Sequence, residues 1–182
     1  EDEDFEKGLQ TRVDKIEYLN KEISSYLIKI NNHDLNDAQS LEVFTLVSVV
    51  NNINSIKNSV KLRFHDLLIK KDIGSNVLSD SVVAEVESYH KKMVKQIKRL
   101  GKFFEKYDKS KIDKIIAKGK KYKDLEEKYR IENIQRADAK DQSKEEKTSP
   151  VYLELMDMLK EISIFIDIIA QRLAELDTIN DN

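Results

Sequence analysis

Apolar side chains recur along this chain in steps of three and four, the spacing that places them on one face of an α-helix. Leu155, Leu159, Ile162, Ile166, Ile169, Leu173 and Leu176 form the cleanest run, and Val43, Leu46, Val49, Ile53, Ile56, Val60, Phe64 and Leu67 nearly match it. Each run predicts a helix of roughly 35 Å at 1.5 Å per residue, so each requires several partners along its length. Three further stripes supply them. Phe5, Leu9, Val13, Ile16, Ile23, Tyr26 and Ile30 make one, and Val82, Val86, Tyr89, Met93, Ile97, Leu100 and Phe104 another. A narrower one runs through Ile112, Ile115, Tyr122, Leu125 and Tyr129.

Polar punctuation divides the stripes into five helices. The first spans about Phe5 to Ile30, and its acidic start suits the positive end of a helix dipole. Asn31, Asn32, His33 and Asp34 favour a turn, after which Asn36 or Asp37 caps a second helix reaching about Lys70. Gly74 ends it, and Ser79 or Asp80 caps the third. The pattern falters at Tyr107 to Ser110, where Ser110 with Asp113 resembles a capping box. A fourth helix runs from Lys111 to about Arg136. The polar stretch from Ala137 to Lys147 buries too little to order itself, and Ser149 with Pro150 then starts the last helix. The chain reads as one domain over residues 1–182. It has a first helical pair at 1–72, a second at 79–136, a loop at 137–148 and a final helix at 149–178.

Composition narrows this to an all-α protein. One proline and four glycines in 182 residues leave too little turn chemistry for a β-sandwich or barrel. At 40% hydrophobic and 36% charged, the chain builds a core and solvates the outer faces of long amphipathic helices. Without cysteine there are no disulfides, thiolate nucleophiles or cysteine-ligated zinc. No apolar run approaches the roughly 20 residues needed to cross a bilayer. The first residue is Glu1, not methionine, and the opening EDEDFE has no signal-peptide features, so the expectation is a part of a longer protein.

Val13-Asp14-Lys15-Ile16 followed by Leu19-Asn20-Lys21-Glu22-Ile23-Ser24-Ser25-Tyr26-Leu27-Ile28-Lys29-Ile30 resembles the second helix of PhoU-like domains. The likeness is strongest to those at the cytoplasmic end of bacterial sodium/phosphate cotransporters. Val49 to Ile56 sits where that family has its first carboxylate motif, and Tyr129 to Arg136 resembles its Arg/His-rich helix end. Ser149 to Leu155 is similar to the entry to its last helix, and Leu159 to Ile164 occupies the second carboxylate motif. The resemblance covers nearly the whole chain. It implies a PhoU-like antiparallel helical bundle, two packed bundles of long helices with the first helix missing or lying upstream. It also implies a role in phosphate transport or its regulation at the cytoplasmic face of the bacterial inner membrane. The partners implied are the transmembrane part of a parent transporter and, through the face a missing helix would leave open, further copies of the chain.

The family motif places two carboxylates one turn apart, where they can bind metal between bundles. Here those positions hold Asn51 with Ser55 and Lys160 with Ile164, which supply no charged oxygen. No metal and no cofactor are therefore expected. His33, His65 and His90 are too scattered to form a ligand set. No Gly-rich phosphate loop, nucleophile elbow or H-E-x-x-H occurs. Asp157 with Glu161 is the kind of acid pair that 34 acidic residues produce by chance, so the expectation is a protein that is not an enzyme. Between Lys91 and Lys128, 15 basic residues face six acidic ones, an excess of nine in a chain of net charge −2, so the remainder carries −11. This is either a solvated face or one drawn to an anionic membrane surface. Nucleic acid is disfavoured, because interleaved aromatics and an overall basic charge are lacking. A soluble metal-binding PhoU-type regulator and a structural helical interaction module are the competing readings; strict heptads through Asn31–Asn36 and Ala137–Lys147 would favour the latter, and they stop at both places.

Overall fold

The computed structural model describes residues 2–73, 78–139 and 150–180, and these form five α-helices: α1 (Asp2–Asn31), α2 (Asp37–Ile73), α3 (Asp80–Lys106), α4 (Lys109–Ala139) and α5 (Pro150–Asn180). No strand occurs among the described residues, and the all-α helical bundle expected from the periodicity is present. Gly74, Ser149 and most of the polar loop lie outside the described residues, as do the side chains of Phe5, Phe64, His65 and Leu67. The fourth helix continues to Ala139, three residues beyond the expected end at Arg136.

The helix ends follow local chemistry, with two departures. At the start of α2, the Asn36 side-chain oxygen accepts from the Gln39 N–H at 2.9 Å while the Gln39 side chain accepts from the Asn36 N–H at 3.1 Å. Two otherwise orphaned donors are satisfied reciprocally. Ser79 holds the extended backbone of an N-cap residue before α3, but its hydroxyl pairs with Ser81 Oγ instead of capping. The other departure is between α3 and α4. Ser110 does not cap there; Asp108 does, accepting from the Ser110 N–H at 3.0 Å and binding Lys111 Nζ at 2.6 Å. Those bonds hold the Asp108 carboxyl down to about 2. Tyr107, with φ 50°, supplies the left-handed residue that reverses the chain.

The helices do not form two equal bundles. α3, α4 and α5 pack on one another as a three-helix bundle, α2 packs along another side of α5, and α1 packs on α2 alone among the described elements. α5 is the hub, which explains why its stripe is the cleanest. Leu159, Ile162, Ile166, Ile169, Leu173 and Leu176 are all buried, joined by Tyr152, Met156 and Ala170. The main core adds Tyr89, Met93, Leu100 and Phe103 from α3, Ile112 and Ile115 from α4 and Val49 from α2, with Ile53, Ile56 and Val60 packed against it. A smaller core of Leu27, Val43 and Val50 holds α1 to α2. Glu17 reinforces it from α1 through an ion pair to the buried Lys57 at 2.7 Å, and Asn20 donates to the Val50 carbonyl at 3.2 Å.

Several expected core residues are outside. Ile23 and Tyr26 on α1 and Ile97 and Phe104 on α3 are exposed. On α3 the buried set is Val82, Glu85, Tyr89, Met93, Gln96, Leu100 and Phe103, so two polar residues occupy core positions that apolarity alone assigns to neighbours. α5 and the antiparallel α4 supply partners for those polar groups, and that selects the face.

Candidate functional site

The degenerate motif positions do not assemble a ligand cluster. Ser55 donates its hydroxyl to the Asn51 carbonyl one turn back, and Asn51 is exposed. Lys160 turns to Glu126 of α4 at 3.4 Å, and Ile164 is exposed. The described residues contain no group of three or more His, Asp or Glu placed to hold a metal ion. His33 and His90 are exposed on separate elements.

The acid pair on α5 comes apart for a topological reason. α5 lies between α2 and α4, so Asp157 reaches Arg130 of α4 at 2.5 Å while Glu161 reaches Arg63 of α2 at 2.9 Å and accepts from the Ser59 hydroxyl at 3.0 Å. The two carboxylates serve different neighbours.

What the bundle does contain is a set of interhelical polar ties that apolar periodicity passes over. Glu126, 1% exposed, sits in the α4 stripe and binds Arg130 on its own helix and Lys160 on α5. With Asp157 this makes two acids and two bases whose charges cancel, and the pairing matters most for Glu126, the buried member, because an unpaired buried carboxylate is costly. Nearer the end of the bundle Glu85 of α3 takes a bidentate contact from Arg136 of α4 at 2.7 and 3.0 Å and a bond from the Tyr152 hydroxyl of α5 at 3.3 Å. Burial and the Glu85 charge push the Tyr152 phenol up. Burial raises Tyr89 to about 12, against the opposing effect of a hydrogen bond with Ser163. Gln96 donates to the Ile115 carbonyl at 3.1 Å, fixing α3 to α4. A sequence signal for Glu126 and Arg130 exists: they are an (i, i+4) pair of opposite charge inside a stripe rather than opposite it.

Asp167 is different. It extends from α5 toward α4, where an ideal Cβ on Gly119 would lie 2.4 Å from its Oδ1, and that oxygen is buried without a hydrogen-bond partner. Desolvation alone raises this carboxyl to about 6. Gly119 continues the stripe through Ile112, Ile115, Tyr122 and Glu126, and its missing side chain is what admits the carboxylate. The depression lined by Asp124, Glu127, Lys128, Ile131, Glu132 and Gln135 is a shallow feature of the outer face of α4.

Outside, the basic residues of 91–128 separate by helix. On α3 Lys91, Lys95, Lys98, Lys102 and Lys106 are exposed and follow one another by fours and threes. On α4 exposed Lys109, Lys114, Lys120, Lys121, Lys123 and Lys128 are interspersed with exposed Asp113, Asp124 and Glu127. No helix among the described residues is long and apolar enough to cross a membrane. The chain matches no family model, no curated protein and no solved structure.

Proposed function

We propose that this chain is a non-enzymatic regulatory and assembly domain of PhoU-like type, serving a sodium-dependent phosphate transporter from the cytoplasmic face of the bacterial inner membrane. The observation that carries the reading is the order of packing, a two-helix hairpin followed by a three-helix bundle, in a chain whose PhoU-like segments occur in that same order. A hairpin in that arrangement is one helix short of a second bundle. Its exposed apolar residues agree: Leu19, Ile23 and Tyr26 share one flank of α1, and Phe44 is exposed on α2. Another helix, from the transmembrane part of the parent or from a second copy, would bury them. Glu85, Gln96 and Glu126 inside the bundle are spent on interhelical ties, which suits a module that transmits packing changes.

The flanking coding sequence tests the tethering: a block of membrane-spanning helices upstream of Glu1 is expected, and a full-length product without any overturns the transporter assignment. In that full-length protein, disrupting the hairpin core with Val43→Asp should alter sodium-dependent phosphate uptake at unchanged membrane abundance. Uptake identical to wild type would refute a regulatory role.

A further inference from the structure

The five lysines of the α3 outer face have an apolar companion stripe. At 100° per residue, Lys91, Lys95, Lys98, Lys102 and Lys106 fall opposite the buried Val82–Tyr89–Leu100 side. Val83, Val94, Ile97, Gly101 and Phe104 fall between the two, and of these Ile97 is 43% and Phe104 48% exposed. α3 touches only α4 and α5 among the described elements, so this flank has no internal neighbour. Lys91 is paired with Glu87 at 2.8 Å, while the remaining four lysines make no ion pair among the described residues.

We infer that the outer face of α3 docks on an anionic phospholipid bilayer, with the lysines among the headgroups and Ile97 and Phe104 in the boundary beneath them. Three observations favour a bilayer over other anionic partners. The companion residues are aliphatic with one phenylalanine, which suits insertion at the headgroup–acyl boundary and does not provide a stacking platform for bases. Long lysine stems can lie along that apolar strip while their ammonium groups stay at the headgroups. The charge of the chain is divided, with an excess of nine over 91–128, shared by α3 and α4, against −11 elsewhere, so an anionic plane attracts these two helices more than the rest of the chain. Within 91–106 the exposed α3 lysines are accompanied by one exposed acid, Glu105, whereas the exposed α4 lysines are accompanied by three, Asp113, Asp124 and Glu127. This inference does not depend on the transporter assignment, because it requires only the folded chain and lipid.

The chain has no tryptophan, which makes a single reporter clean. Phe104→Trp should bind phosphatidylserine-containing vesicles and be quenched by brominated acyl chains, whereas Ile131→Trp on α4 should bind equally and stay unquenched. Lys95→Glu/Lys98→Glu/Lys102→Glu should weaken partitioning by roughly 100-fold or more, since each lysine near such a surface is worth about a fivefold gain. The α4 reversal Lys114→Glu/Lys121→Glu/Lys128→Glu should cost less than about a tenth of that factor, and circular dichroism checks that both variants are folded. Binding should fall as salt shortens the Debye length below about 8 Å. Equal binding to pure phosphatidylcholine, quenching at Ile131→Trp but not Phe104→Trp, or equal losses from the two reversals would each overturn the assignment. Transfer RNA binding that outcompetes vesicles and is lost with the α3 variant would place nucleic acid there instead.

Discussion

Replacing Gly119 by alanine should change sign with the residue opposite. In an exposed or neutral helical setting Gly→Ala gains up to about 1 kcal/mol, because alanine loses less backbone entropy on folding. Here the new Cβ would stand 2.4 Å from Asp167 Oδ1, 2.6 Å from Oδ2 and 2.8 Å from Cγ. Ordinary contact requires a retreat of about 1 Å, which forces the carboxylate off its rotamer or spreads α4 from α5. Overpacking of this kind costs about 1–3 kcal/mol, so net destabilisation of about 0–2 kcal/mol is expected. In an Asp167→Ala background the obstacle is gone, and the same Gly119→Ala should stabilise by up to about 1 kcal/mol. Urea unfolding of the four proteins of this double-mutant cycle reads the coupling directly. Stabilisation by Gly119→Ala in both backgrounds would show that the carboxylate does not occupy the space over Gly119.

Asp167 also sets a pH dependence: its folded value near 6 lies above the ordinary carboxylate value, so the stability it allows is fully present below about pH 4 and lost as pH rises through 6. Asp167→Asn should therefore stabilise the fold at pH 7.5 by on the order of 1 kcal/mol after allowing for partial solvent screening, with the gain vanishing near pH 4, as read by urea unfolding at the two pH values; a pH-independent difference would refute the burial argument. Ile166→Ala, at the hub of the core, should cost about 2–5 kcal/mol and the half-buried Ile53→Ala less, and near-equal small effects in chemical denaturation would show that α5 is not the hub. Because Asn51, Ser55, Lys160 and Ile164 offer no carboxylate pair, elemental analysis should find no stoichiometric iron, zinc or manganese, and chelator should leave the melting temperature unchanged; one metal per chain lost on mutating Asn51 would contradict this. The open flank of α1 should drive self-association at micromolar concentration, and sedimentation as a strict monomer would remove that proposal.

Helix number, the cap at Asn36 and the α5 stripe were legible because they depend on local chemistry. Periodicity, a capping Asn or Asp and a near absence of turn residues act within a few residues of one another, and a residue that must be buried against three neighbours has to be apolar all round that side. The face of α3 was legible only in part: Val82, Tyr89, Met93 and Leu100 are buried as expected, but its polar members and its edge were not foreseen. Glu85 and Gln96 take core positions because Arg136, Tyr152 and the Ile115 carbonyl, dozens of residues away for the first two, satisfy them on burial. Ile97 and Phe104, apolar enough to be assigned to the core, are left outside by the same rotation. The same holds for the paired acids of α5, whose one-turn spacing was readable while their division between α2 and α4 was not. Spacing along a helix determines which residues can share a face. Which face is buried, and which polar groups are satisfied there, is decided only when the other helices bring donors and acceptors to meet them, because a buried polar group without a partner costs free energy.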